Sequence, residues 1–191
     1  MPLPSWLLLQ FNLAIIIFSM QVEGLGLQWA AAESVKISIR GEKSVLQFTG
    51  KRPLSVTTTA PFKKNLGVIV GSCYFRVFFP RKAGRTAIGF QFADPPSQKY
   101  LTPMYDPSNS HYISFGGAGY LYPSKSSAGG GYAEGDTIEA KIDWKANTLT
   151  YYVNSNAVAK LSIPDDITVA FPSLSVEAGE VIAELESGTT V

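Results

Sequence analysis

The sequence predicts an all-β chain, a sandwich of two antiparallel sheets, on three observations. Apolar and polar residues alternate with a period of two in segment after segment from residue 34 onward, the pattern of strands with one wet face. Val, Ile, Thr and aromatic residues are abundant, with 11 Phe, 9 Tyr and 3 Trp, and these types fit a pleated surface. Gly, Pro, Asn and Asp clusters interrupt the segments at short intervals, and no amphipathic helical stretch follows residue 27.

The elements follow in order. Ser34–Arg40 puts Val35, Ile37 and Ile39 on one face, expected to be buried, with Lys36, Ser38 and Arg40 on the other. Val45–Thr49, Gly71–Phe79, Ala87–Phe92 and His111–Phe115 are the next expected strands, with Phe75 and Val77 facing inward. Ile138–Asp143 alternates again, turns at Asp143–Asn147, and continues as Leu149–Val153. Asn154-Ser-Asn156 reverses the chain, because Asn tolerates positive φ, and Ala157–Ile163 returns. Val169–Val176 and Val181–Leu185 complete the set; Phe171-Pro172 is expected to open its strand, where a missing N–H is harmless.

Size and charge narrow the function classes. A chain of 191 residues with 46% hydrophobic and 16% charged residues suits one well-packed domain. A formal net charge of +1 gives no electrostatic case for a nucleic-acid partner. The single cysteine, Cys73, excludes an internal disulfide and a paired-cysteine zinc site. It points the same way as Phe75 and Val77, which favours a small buried hydrophobe over a reactive thiol.

Residues 1–26 are of another kind. Ser5 to Met20 is apolar except for Gln10 and Asn12, long enough for the core of a secretion signal and short for a membrane span. Val22 and Gly24 are small enough for the −3 and −1 positions of a cleavage site, although no Lys or Arg precedes the run. A cleaved signal and a secreted product, with no stable span left after cleavage, is the expectation. An uncleaved anchor, or a segment packed on a cytoplasmic domain, is the alternative.

Catalytic and cofactor chemistry has little to stand on. The only histidine, His111, begins an expected strand beside Tyr112. Gly116-Gly-Ala-Gly119 and Gly129-Gly-Gly-Tyr132 precede no helix and lack the Lys-Ser/Thr of a phosphate loop, so they read as tight turns. Asp165-Asp166 lacks further oxygen ligands for calcium. A non-enzyme without cofactor or metal is expected.

Four segments resemble the SPRY domain, the core of the B30.2 fold. They are Gly71-Ser-Cys-Tyr-Phe-Arg-Val77; Ala87-Ile-Gly-Phe90; His111-Tyr-Ile-Ser-Phe-Gly116; and the series Gly135-Asp136…Asp143, Asn147–Asn154, Phe171-Pro-Ser-Leu-Ser175. The resemblance spans residues 34–187 and departs at the hairpin, where Asn154-Ser155 stands for the usual Asn-Gly. It implies a concanavalin-like sandwich that grips a protein or short peptide through its loops, as a secreted effector or adaptor.

In one branch of the family a basic-x-Pro turn, a tyrosine loop and a late tryptophan hold the peptide. Lys51, Arg52 and Pro53 match the turn, and the tryptophan position falls on Ala178. The Asp94–Asn109 segment, carrying Tyr100, Leu101 and Tyr105, is the second candidate wall, expected to share a groove with Pro53 at one end of the sandwich. Those tyrosines read equally as packing residues. The other reading of the architecture is a lectin-like carbohydrate module, with Tyr120 and Tyr122 as an aromatic platform.

Overall fold

The computed structural model describes residues 35–41, 43–50, 53–64, 72–92 and 112–190. These form fourteen strands: β1 (Val35–Arg40), β2 (Lys43–Gly50), β3 (Leu54–Thr57), β4 (Phe62–Lys63), β5 (Ser72–Ala83), β6 (Thr86–Gln91), β7 (Tyr112–Gly116), β8 (Tyr120–Tyr122), β9 (Ser126–Ser127), β10 (Thr137–Asp143), β11 (Thr148–Val153), β12 (Asn156–Ser162), β13 (Val169–Val176) and β14 (Gly179–Thr190). One sheet runs β1-β2-β14-β5-β10-β11-β12; the other runs β3-β13-β6-β7-β8-β9, with β4 also on β13. Every pairing is antiparallel.

The period-two faces meet in one core. Phe75, Val77, Ile138, Ile142, Leu149 and Tyr151, all expected inside, are fully buried, and Phe90, Phe115 and Leu174 face them from the second sheet. Phe75 and Phe90 meet edge-on across the sheets at 5.0 Å. Cys73 belongs to the same cluster, and burial pushes its thiol above its ordinary pKa. Buried and raised, it behaves as a small apolar residue.

Three expectations are corrected. Ile39 is 54% exposed, because β1 is an outermost strand with a neighbour on one side only and Ile39 is one residue from its end. Val35 and Ile37, nearer the other end, are partly buried against the core. Pro172 lies inside β13, not at its start. Its carbonyl accepts from Thr58 N (2.9 Å), so its nitrogen faces the same way, toward the break between β3 and β4, where the ladder asks for no donor. β5, finally, runs past Phe79 to Ala83. Pro80 is accommodated at the register shift against Ile182–Glu184, a bulge that leaves a residue unpaired.

The motif residues hold turns. Gly135 has φ 85°, and Asp136 Oδ2 accepts from Ala133 N (2.7 Å), as a turn-forming aspartate should. Asp136 Oδ1 also accepts from Asn154 Nδ2 (2.7 Å), while Asn154 Oδ1 accepts from Thr137 N (2.9 Å). The Gly-Asp turn is thereby clasped to the β11–β12 hairpin, whose two central residues, Asn154 and Ser155, both have positive φ.

Candidate functional site

The register decides which turns are neighbours. Gly50 pairs with Gly179, Leu54 and Thr86 with Val176, and Ala87 with Gly116. The turns after β5, β7 and β13, together with the end of β2 and the start of β3, therefore gather at one end of the sandwich. Pro53, exposed, stands there beside the turn containing Ala178.

This end is stiff because its backbones touch. A Cβ on Gly84 would collide with the Ala178 carbonyl oxygen, and a Cβ on Gly179 with that of Ala83. Glu177 N donates to Arg85 O (3.0 Å), and Arg85 Nε meets Glu177 Oε2 at 3.4 Å. The two glycine runs serve one another in the same way. A Cβ on Gly131 would strike Gly117 O, and one on Gly119 would lie 2.9 Å from Gly130 C. Tyr132 N donates to Gly117 O (3.1 Å) and Ala128 N to Gly119 O (2.8 Å). The glycines give close backbone packing, the tight-turn reading of the sequence.

Behind the glycines lies Tyr132, buried and stacked on Phe79 at 5.5 Å. Its hydroxyl accepts from Thr86 Oγ1 (3.1 Å) and donates to Phe115 O (3.4 Å); burial raises its pKa far above the ordinary tyrosine value. Over its ring, 5.3 Å from the centroid, sits the Lys82 ammonium, half-buried at the rim of the end. Desolvation lowers the Lys82 pKa. Sequence reasoning missed this cluster, since Lys82 and Tyr132 are far apart in the chain and the Gly129-Gly-Gly-Tyr132 run reads only as a tight turn.

Of the predicted site residues, Pro53 is at this end; Lys51, Arg52, Tyr100, Leu101 and Tyr105 lie outside the described residues, as do His111 and residues 1–26. The flanks of the tyrosine segment are placed. Phe92 and Tyr112 bound it, and Gln91 pairs with both Tyr112 and Phe171, at the opposite end of the sheet from Val176. The two candidate walls are thus anchored about 17 Å apart, at roughly 3.3 Å per residue along β13. A shared groove requires the 93–111 segment to run back along the sandwich. Its length allows an excursion of about 30 Å out and back at full extension.

With this geometry the chain can be compared with solved structures. It is similar to the SPRY domain of human HERC1, with 12% identity and a TM-score of 0.57 over 84% of this chain and 97% of that one. It is similar to a human SPRY domain, with 20% identity and a TM-score of 0.53 over 80% and 96%. The PSpry domain of TRIM65 aligns with a TM-score of 0.61 at 9% identity, over 88% and 98%. The chain has the SPRY fold. No family model and no curated protein matches the sequence.

The outer face of the sheet containing β2, β14, β5 and β10 carries a second feature. A hollow of about 300 Å³ is lined by Lys43, Arg76, Phe78, Thr137, Glu184 and Glu186. Its charges satisfy one another. Lys43 pairs with Glu184 (3.3 Å), and Arg76 with Glu139 (2.6 Å) and Glu186 (3.5 Å) while lying 4.7 Å over the Tyr74 ring. The Glu139 hydrogen bond raises the Arg76 pKa. In the lectin reading's platform, Tyr120 is 47% exposed but Tyr122 packs against Ala87 and Tyr112. Among the described residues no group of three or more His, Cys, Asp or Glu could hold a metal ion. No helix among them is long and apolar enough to cross a membrane.

Proposed function

We propose that the chain is a non-catalytic module that binds a protein or a short peptide through the loops at the Pro53 end. The observation that carries this reading is the convergence there of the turns after β5, β7 and β13, held by backbone-to-backbone contacts of Gly84 with Ala178, Gly179 with Ala83 and Gly131 with Gly117. Loops fixed by a rigid scaffold are a binding surface that needs little ordering on contact. The only cysteine is sequestered in the core with a raised pKa, so it supplies no nucleophile at the surface.

The test is a binding comparison on the full chain, with captured peptides as ligand. Arg52→Ala is predicted to cost about 1–3 kcal/mol of affinity, as anchors do, and Tyr105→Ala the same where its segment runs back to this end. Their melting temperatures should stay near that of the parent. Lys160→Ala, on the edge strand β12, should leave affinity unchanged. Equal losses in all three variants, or melting temperatures that fall while binding persists, would refute the loop surface. Secretion belongs to the same proposal: the exported protein should begin at Leu25 by N-terminal sequencing, and an intact Met1 on retained protein would overturn it.

A further inference from the structure

Four cations in the described sandwich have carboxylate partners: Lys43, Arg76, Arg81 with Glu180 (3.7 Å), and Arg85. Lys82, at the loop-bearing end, has none among the described residues. Its ammonium lies over the Tyr132 ring and donates to Gly84 O at 3.4 Å, a long and weak bond. The acids nearby take their hydrogen bonds from neutral groups and stand outside ion-pair distance of the Lys82 ammonium. Glu134 Oε2 accepts from the Lys82 backbone N (3.0 Å), and Asp136, whose charge acts on Lys82 from a distance, is taken by Ala133 and Asn154.

The position is bordered by Tyr132, Gly117 and Thr86 and open to solvent beyond them. The Tyr132 ring beneath is fixed by its stacking and by two hydrogen bonds. A Cβ on Gly117 would lie 3.0 Å from Lys82 Nζ, so glycine is what leaves the ammonium its room. Thr86 Oγ1 borders the same space. A cation that has lost part of its hydration and has no carboxylate within ion-pair distance gains more from an arriving carboxylate than a solvated surface lysine does. Arg85 stands on the same turn, its own charge met by Glu177.

We propose that Lys82 receives an acidic side chain of the peptide partner, its ammonium donating to the carboxylate beside Gly117 and Thr86. The inference rests on the loop-binding reading above and adds to it the chemistry of one recognised residue.

The probe is an immobilised random-peptide library, screened with the full chain. Wild type should enrich peptides with Asp or Glu at one position. Replacing that residue by Asn or Gln should weaken wild-type binding about tenfold, the weight of one charge-assisted hydrogen bond. Lys82→Met should lose a similar factor and become indifferent to the peptide substitution, whereas Lys82→Arg should keep the acidic preference. That coupling between lysine and carboxylate is the deciding measurement. Should Lys82→Met fail to fold, the peptide's Glu→Gln arm and Lys82→Arg still decide. Selective binding without acidic preference, an additive Lys82→Met cycle, or a preference for phosphoserine over Glu would overturn this inference and leave the binding module standing. A library yielding no ligand would remove both.

Discussion

At Gly89 of β6 the neighbouring strand comes so close that a Cβ would collide with Ile113 O and lie 2.6 Å from Ser114 Cα. Both obstacles are backbone of β7, a central strand that cannot step aside. Gly89→Ala is therefore predicted to cost about 2–3 kcal/mol, as overpacking does, measured as a lower denaturant midpoint with the slope retained. Gly89 was visible in the sequence as part of a short motif, but its reason was not, because the clash exists only once β6 and β7 are in register. Asp136 was more legible. Turn chemistry is local, and its bond to Ala133 spans three residues. Lys82 was not legible at all. A lysine between Arg81 and Ala83 reads as solvated surface until Tyr132, fifty residues on, is brought beneath it.

The β11–β12 hairpin is the element where sequence and geometry pull apart. Its two-residue turn needs positive φ at both positions, and Ser155 takes φ 69° without being glycine or asparagine. Left-handed backbone costs an ordinary L-residue about 1–2 kcal/mol. Glycine would relieve this but lose about 0.4–1 kcal/mol through the freer unfolded chain. Ser155→Gly should stabilise the protein by a net ~0.5–1 kcal/mol, seen as a melting temperature higher by about 1–4 °C. A fall would mean the Ser155 side chain contributes more than its backbone costs. The alternating strands β10 and β11 were readable because period two needs only a few residues to declare itself. β3, β4, β8 and β9 went unpredicted: at two to four residues they are too short to show a period, and they exist because a longer strand offers them an edge. Pro80 and Pro172 look like strand ends in sequence, and only a bulge and a ladder gap, both properties of neighbouring strands, make room for them.

The molecule as a whole is two sheets closed over aromatic side chains, and Tyr132 and Tyr151 among them carry acidic protons into the shared core. Tyr151 is fully buried and its hydroxyl donates to Ile113 O (3.1 Å) on the facing sheet; Tyr132 bridges Thr86 and Phe115. Burial raises both pKa values above the ordinary 10.0, since a phenolate in the core would lose its hydration. A raised folded-state pKa means the stability is fully present below pH 10. Above it the unfolded chain releases these protons while the folded chain keeps them, so stability falls as pH rises toward the folded values. Each tyrosine contributes a slope of about 1.4 kcal/mol per pH unit, and the two together about 2.7. The Cys73 thiol, raised by burial from 9.0, adds to the decline from about pH 9. Urea unfolding followed from pH 8 to pH 11.5 should show a flat region and then this steepening loss. The doubly substituted Tyr132→Phe, Tyr151→Phe protein should start from a lower plateau, having lost two buried hydrogen bonds, yet decline less steeply above pH 10. If parent and variant decline in parallel, the alkaline loss belongs to surface groups, and the two hydroxyls are not the sealed centre of the sandwich.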